Sequence, residues 1–387
     1  MIHIKKTYLT VLMMVTFIGC TEVFIPDIDP DTKALVVEGL ITDGEGPFTV
    51  KLTEALPYVS DSVLVTKYVS DAELTVQDGE EHIYSLTYEG KGKYVLPTSF
   101  NAKVGNSYIL HIETSDGNIY ESKAQTLLPP QSYDSVHSSL TKKEYLDEDN
   151  VLNDIDCFDV RVDLFQSVSS SIPTPLCRFE SNIVVQYSYT YWPKADPVTD
   201  SVPPWCIPVF GWKTSLLDDN ENLTIERSKM STPVIKNHFL CDVPLGISNY
   251  GIETDGSNSL VYYYRFNQYT INEETYNYYK EANSQLAASG KLFDPIASQL
   301  DGNMTCINDP SKVVLGLFEV SSVTRAAFVL VENRYYHKAN IRAVPYVDIP
   351  ASGFFCYKVN LDETIADSVA NLPDYQVIPY PSWWDHQ

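Results

Sequence analysis

The chain has 387 residues, 44% of them hydrophobic, so it is long enough to bury more than one hydrophobic core. Acidic residues outnumber basic residues by 51 to 27, which gives a formal net charge of −24. Such a surface repels phosphate backbones and anionic lipid headgroups, so the composition argues against a nucleic acid partner and against direct adsorption to anionic membranes.

The first 19 residues have the organisation of an export signal. Two lysines precede an apolar run at residues 8–18, which is too short to cross roughly 30 Å of hydrocarbon as a helix. The run ends in Phe-Ile-Gly-Cys at residues 17–20, which resembles the bacterial motif that precedes a lipidated cysteine. We therefore predict a lipoprotein signal peptide at 1–19 and lipidation of Cys20. A plain secretory signal followed by a chance cysteine is the alternative.

The next segments predict a tether and a first domain. Residues 20–33 contain two prolines with acids between them, which is typical of a stiff, solvated tether. From residue 34 to about 128 the hydrophobic pattern has a period of two, with glycine-containing turns roughly every 8–12 residues. These features predict an immunoglobulin-like β-sandwich over 34–129, because the prolines at 129 and 130 cannot continue a strand ladder.

The remainder, 130–387, is predicted to be a larger β-rich domain with one helix. Two acidic or polar segments, 142–156 and 216–229, interrupt it and are interpreted as solvated loops rather than calcium sites. Stretches rich in β-branched and aromatic residues, or alternating at period two, occur at 158–164, 182–191, 260–269, 313–320 and 326–331.

One helix is expected at about 272–289. Thr270 and Glu273 have the spacing of a capping box, and Asn272 is a second possible cap. Acids in the first turn suit the helix dipole, and Gly290 supplies a stop.

The stretch from residue 271 to residue 323 carries a resemblance to a known family. It contains, in order, I-x-E-E-x-Y-x-Y, G-x-L-F-D-P, G-N and G-x-F-x-V-S-S. Residues 37–42 and 46–52 are similar to the first strands of the same family. The chain thus resembles DUF4249, a family of Bacteroidota outer-membrane lipoproteins, although the segment after Cys356 follows the family pattern only loosely.

The resemblance implies a role but brings no catalytic residue and no cofactor. Members of the family are typically encoded beside TonB-dependent transporters. The implied function is that of a non-catalytic accessory subunit of such a transporter, which captures cargo or forms an extracellular lid. The implied location is the outer membrane, lipid-anchored and exposed at the cell surface. A stand-alone surface glycan- or peptide-binding lipoprotein is the alternative, and an exported hydrolase is less favoured.

The residues themselves carry no recognisable catalytic or metal motif. The chain contains neither H-E-x-x-H nor G-x-S-x-G. The acidic segment that starts at Asp218 lacks the glycine and the final acid of an EF-hand. We therefore predict no enzymatic activity, no metal and no cofactor.

Aromatic residues are the candidate ligand- or partner-binding groups. Rings that point outward from a loop can stack on sugars or contact a protein partner. The candidates lie at the end of a predicted strand and in the Pro-rich stretch after it: Tyr191, Trp192, Trp205 and Trp212.

Six cysteines besides Cys20 lie at wide spacings after residue 150. An even number in an exported protein suggests up to three disulfides, with 15 possible pairings, and buried thiols are the alternative. The candidates are Cys157, Cys177, Cys206, Cys241, Cys306 and Cys356.

Overall fold

The computed structural model describes residues 34–55, 66–146, 151–165, 176–191, 207–216, 223–227, 234–246, 257–286, 300, 302–333, 338–347 and 352–356. This part of the chain is mainly β-strand and contains one helix, as the sequence predicts. Within it, no helix is both long enough and apolar enough to span a bilayer.

The elements are numbered in chain order. The first strands are β1 (Ala34–Ile41), β2 (Thr49–Ala55), β3 (Lys67–Tyr68), β4 (Glu73–Asp78), β5 (Ile83–Ser85), β6 (Thr87–Gly90), β7 (Lys93–Val95), β8 (Ser107–Glu113), β9 (Ile119–Ser122), β10 (Gln125–Thr126) and β11 (Tyr133–Leu146). The following elements are β12 (Leu152–Phe165), β13 (Leu176–Tyr191), β14 (Ile207–Leu216), β15 (Leu223–Arg227), β16 (Val234–Pro244), β17 (Ser257–Thr270), α1 (Glu273–Leu286), β18 (Met304–Cys306), β19 (Val314–Val320), β20 (Ser322–Asn333), β21 (Lys338–Val344) and β22 (Ser352–Cys356).

Two sheets enclose the first hydrophobic core and form what we call the first sandwich. One sheet has the strand order β19-β1-β2-β7-β6, with β3 beside β2, and the other has β18-β9-β8-β4-β5, with β10 beside β8. In β8, Tyr108, Leu110 and Ile112 are buried and the residues between them are half-buried. This alternation is the period-two pattern in the sequence, because successive side chains point to opposite faces of a strand.

The first sandwich takes two strands from far along the chain. β19 pairs with β1 in parallel, with Val37 opposite Gly316, and β18 pairs with β9, with Tyr120 opposite Cys306. The predicted domain at 34–129 therefore lacks two strands that complete the sandwich.

The remaining strands form the second lobe. A sheet of order β11-β12-β16 lies over a sheet of order β21-β20-β17-β13-β14-β22, with β15 beside β13. Ile183 and Val185 belong to the core that also contains Val160, whereas Val184 belongs to a cluster on the opposite face of β13 with Tyr263. Because both faces of β13 are buried, its centre is a continuous apolar run.

The two segments interpreted as loops both contain strands. In the first, 142–156, β11 and β12 pair as far as Leu146 and Leu152. Lys142 Nζ lies 3.9 Å from Asp154 Oδ2, so opposite charges across the hairpin favour the strand pairing. β16 pairs with β12 only from Cys157 onward, so the end of this hairpin extends beyond the sheet. The second segment contains β15, which pairs with the start of β13.

The helix begins at Glu273, close to its predicted start. Its N-cap is Asn272, whose Oδ1 accepts a hydrogen bond from Thr275 N at 2.8 Å. Thr270 ends β17 instead, and its Oγ1 accepts a hydrogen bond from Gln131 N at 3.0 Å. The second of the two predicted caps is therefore confirmed, and the predicted stop at Gly290 lies outside the described residues.

The described cysteine side chains correct the disulfide prediction. Burial raises the pKa of the Cys177 thiol to about 12, so this group behaves as a small apolar residue. The side chains of Cys206 and Cys356 lie outside the description. The side chains that are described are buried thiols and form no disulfides: Cys157, Cys177, Cys241 and Cys306.

Candidate functional site

The predicted aromatic residues do not form one described cluster. Tyr191 ends β13 and pairs with Ile207 at the start of β14. Trp212 lies opposite Gln186 within β14, so it belongs to a strand and not to the loop expected from the sequence. About five strand residues, roughly 17 Å, separate the positions of Tyr191 and Trp212 along the ladder. Trp192, Trp205 and Cys20 lie outside the described residues, and their roles stay predictions.

Two glycines of the motif segment at 302–322 allow close approach of backbones. Gly316 has a φ of +89°, and a Cβ there would stand 2.0 Å from the Val37 carbonyl oxygen. A Cβ at Gly302 would stand 1.7 Å from the Gly316 carbonyl oxygen. Glycine is required at both positions, because any side chain would push β19 away from its neighbours.

An asparagine of the same segment holds β19 in place. Asn303 Nδ2 donates to the Phe318 carbonyl oxygen at 2.7 Å, and its Oδ1 accepts from Phe318 N at 2.9 Å. This amide satisfies the buried backbone of Phe318 as a neighbouring strand would. The Phe318 ring is fully buried over Gly39. These motif residues therefore have a structural role, because they hold β19 in the first sandwich.

A buried ion pair joins β19 to the second lobe. Arg178 Nη2 donates to Glu319 Oε1 at 3.1 Å, and the two side chains are only 7% and 3% exposed. Tyr279 of α1 donates to Glu319 Oε2 at 2.7 Å, and Ser321 Oγ donates to Oε1 at 2.7 Å. The Arg178 guanidinium also lies 3.9 Å from the centre of the Tyr269 ring, a cation–π contact.

The electrostatics of this junction keep its groups in one protonation state. Burial lowers the pKa of Arg178, but the facing Glu319 carboxylate, together with Tyr279, Tyr269 and Glu180, outweighs burial and raises this pKa above its ordinary value. Burial and the same carboxylate raise the pKa of the Tyr279 hydroxyl. Arg178 therefore stays a cation and Tyr279 stays a donor, which suits a fixed joint.

A second contact fastens the start of α1 to the first sandwich. Asn272 Nδ2 donates to Gln125 Oε1 at 2.5 Å, and Gln125 Nε2 donates to Glu274 Oε2 at 3.0 Å. Lys123 Nζ lies 2.5 Å from Glu274 Oε1. Because Gln125 is buried, these hydrogen bonds satisfy polar groups that water does not reach.

A cavity of about 540 Å³ lies at the end of the first sandwich where β1 begins. Ala34 and Leu35 of β1 line it together with Val69 and Val313. Polar groups come from the turn at 114–116, between β8 and β9, and from the segment before β19. An apolar wall with a few polar groups is the usual composition of a small-molecule site.

The polar groups of the cavity are mostly paired with one another. Asp71 Oδ2 accepts from Ser115 Oγ at 2.5 Å, and Asp116 Oδ1 accepts from Thr114 Oγ1 at 2.6 Å. Lys312 Nζ lies 3.7 Å from Asp116 Oδ2. The Thr114 hydrogen bond, with a smaller effect of Lys312, holds the pKa of Asp116 below its ordinary value although burial opposes this.

Among the lining residues that carry a polar side-chain group, Tyr120 is buried. It is 6% exposed, and burial raises the pKa of its hydroxyl to about 12, so the group stays protonated. Within the described part of the chain this hydroxyl makes no hydrogen bond. The cavity therefore contains a hydroxyl donor that a ligand can use. Sequence reasoning missed this site, since the turn at 114–117 signals only a chain reversal.

One group of side chains has the composition of a metal site. Ligand atoms of Asp78, Glu80 and His82 lie within 4.8 Å of one another. However, the Asp78 oxygens already accept hydrogen bonds from Glu80 N, His82 N and the His82 ring. Hydrogen bonds within the turn therefore already use the oxygens of Asp78, so the group has a structural explanation. Elsewhere in the described residues, His111 Nδ1 lies 3.6 Å from Glu121 Oε2.

The comparisons with known proteins agree with the resemblance seen in the sequence. No curated protein and no solved structure matches the chain. The family model described as domain of unknown function (DUF4249) matches residues 21–327, which is most of the chain. This range includes the glycines and the asparagine that dock β19, and the chain belongs to the DUF4249 family.

Proposed function

We propose that this protein is a lipid-anchored, non-catalytic binding protein that acts as an accessory subunit of a TonB-dependent transporter in the outer membrane. The export signal with its terminal cysteine supports the anchor, and the resemblance to the family supports the partner. The proposed role is to capture cargo, or to cover the extracellular mouth, of the transporter. The proposed location is the cell surface.

The observation that carries the binding role is the position of the cavity. Ala34 lines the cavity and follows Cys20 by 14 residues. A fully extended segment of that length spans at most about 50 Å. A lipid on Cys20 would therefore keep the cavity within about 50 Å of the bilayer, at the end of the first sandwich where the tether joins it.

The junction between the lobes supports a role that needs a defined orientation. The Arg178–Glu319 pair and the Gln125 contacts fasten the second lobe and α1 to the first sandwich. A tether at the first sandwich would then position the second lobe as well. The acidic surface disfavours contact with anionic lipid, so the lipid and a protein partner would make the membrane contacts.

Purification from membranes tests the proposal. A C-terminally tagged protein is recovered from gently solubilised membranes, and the associated proteins are identified by mass spectrometry. We expect a TonB-dependent barrel at a stoichiometric level. The Cys20→Ser variant is the matched control, and it should leave the membrane fraction and lose the barrel.

A stand-alone surface protein that binds glycan or peptide is the second candidate. The cavity supports it as well, because all the lining residues that the structure describes belong to this chain. Recovery of the lipoprotein alone, at full yield and in two detergents, would contradict the accessory role and favour this alternative.

A further inference from the structure

We propose that the cavity at the start of β1 binds a small primary amine that carries a hydrogen-bond acceptor on the same body. Asp71 receives the ammonium group, and Tyr120 donates to the acceptor. The inference rests on the binding role proposed above and names the class of ligand.

The size and the wall of the cavity set the limits of the ligand. A volume of about 540 Å³ lies within the usual range for small-molecule sites, roughly 300–1,000 Å³. Leu35, Val69 and Val313 provide an apolar wall, which contacts carbon–hydrogen groups of the ligand.

The charges around the cavity select a cation. Glu54 Oε2 lies 2.7 Å from Lys67 Nζ, and Asp116 has Lys312 at 3.7 Å. Asp71 accepts a hydrogen bond from Ser115, and within the described residues no cationic side chain lies at ion-pair distance from it. Among the described residues, the exposed Asp71 carboxylate is therefore the lining carboxylate that has no balancing charge. An ammonium group supplies that charge, whereas an anionic ligand meets repulsion.

The buried tyrosine selects an acceptor. Tyr120 is more than nine-tenths buried, lines the cavity and makes no hydrogen bond in the described part of the chain. The hydroxyl is therefore free to donate a hydrogen bond to a ligand in the cavity that supplies an oxygen acceptor. Burial keeps the hydroxyl protonated, since its pKa is raised to about 12.

Two kinds of molecule share this chemistry. The N-terminal residue of a short peptide has an ammonium group beside a carbonyl oxygen. An amino sugar has an ammonium group beside hydroxyl oxygens. Both present carbon–hydrogen groups to an apolar wall, and the experiment distinguishes the two sources.

The test is isothermal titration calorimetry on the mature protein, purified from membranes in detergent micelles. The probes are L-alanyl-L-alanine and D-glucosamine, each compared with its N-acetyl derivative, which has the same body without the positive charge. We expect at least one amine to bind at millimolar concentration or below, about tenfold more tightly than its derivative. The amine that binds identifies the source.

Three variants assign the binding to the cavity. Asp71→Asn keeps an acceptor for Ser115 but removes the charge, so the preference for the amine should disappear. Tyr120→Phe keeps the ring and should weaken binding about two- to tenfold, the effect of one neutral hydrogen bond. Asp134→Asn changes an exposed carboxylate outside the cavity and should bind as the unmodified protein does.

Three results would overturn the inference. These are no binding of either amine, equal affinity for the N-acetyl derivatives, and unchanged amine binding by Asp71→Asn. None of them bears on recovery of a transporter from membranes. Amine binding by a protein that purifies without a barrel would instead contradict the accessory role and leave the ligand class in place.

Discussion

The Arg178–Glu319 pair shows what a single residue of the motif segment does. A buried ion pair adds little net stability, because desolvation offsets the Coulomb attraction. Its removal on one side is costly, since a buried charge then has no partner. Glu319 also accepts hydrogen bonds from Tyr279 and Ser321, so one carboxylate holds β19, α1 and β13 together.

We expect Glu319→Gln to lower the free energy of unfolding by about 3–5 kcal/mol, because it leaves the buried Arg178 cation uncompensated. Urea unfolding followed by circular dichroism measures the change. Glu38→Gln is the matched control, since Glu38 pairs with Lys51 at the surface at 3.3 Å and should change stability by less than about 1 kcal/mol. Equal losses in the two variants would show that burial of the pair has no special effect.

The lowered pKa of Asp78 leads us to expect that part of the folding stability is lost in acid. Burial raises its pKa, but hydrogen bonds from His82 and Glu80 outweigh burial and hold the pKa of Asp78 below its ordinary value of 3.8. Because the folded state has the lower pKa, the carboxylate stabilises the fold above about pH 4 and loses this effect as pH falls through the folded pKa. We expect Asp78→Asn to be less stable than the unmodified protein at pH 7, with a gap that closes in acid. Urea unfolding across this pH range measures the gap, and a constant gap would exclude the carboxylate as its source.

The helix and the strands differ in how well the local sequence predicts them. The helix is local, so its cap and its period predict its start to within a residue. The polarity of the segment 142–156 predicts a loop, whereas the structure shows paired strands as far as Leu146 and Leu152. These strands pair through the backbone, and opposite charges such as those of Lys142 and Asp154 lie across the hairpin at 3.9 Å. Polarity alone therefore does not exclude a strand, because the ladder of backbone hydrogen bonds needs no apolar face.

The cap of α1 gives a prediction for the whole element. Asn272→Ala removes the acceptor for Thr275 N and the donor to the buried Gln125, so we expect a loss of about 2 kcal/mol or more. Asn272→Ser is the matched control, because a serine hydroxyl still caps the helix and only the contact with Gln125 is lost. Urea unfolding of the two variants measures the difference, and equal losses would show that capping contributes nothing.

At the scale of the whole molecule, the β class follows from the sequence but the sheet pairing does not. The strand at 313–320 is predicted from its composition, yet nothing local states that it pairs with a strand near residue 37. The cavity cannot be predicted from local sequence either, because its lining comes from distant positions such as 34, 71, 120 and 312. A site assembled from separate turns has no local pattern, whereas the aromatic candidates are close together in the sequence and are therefore visible there.

The divided first sandwich predicts how fragments behave. A fragment of residues 34–129 lacks β18 and β19, so β1 loses its parallel partner and the core loses Phe318. We expect this fragment to show no cooperative unfolding transition, and the same fragment joined through a flexible linker to residues 302–321 to regain one. Urea unfolding and the dispersion of amide proton signals report the difference. Phe318→Ala in the joined fragment is the control, because the loss of a fully buried ring costs about 3–5 kcal/mol. A cooperative transition in residues 34–129 alone would show that β18 and β19 are accessory to a domain that folds without them.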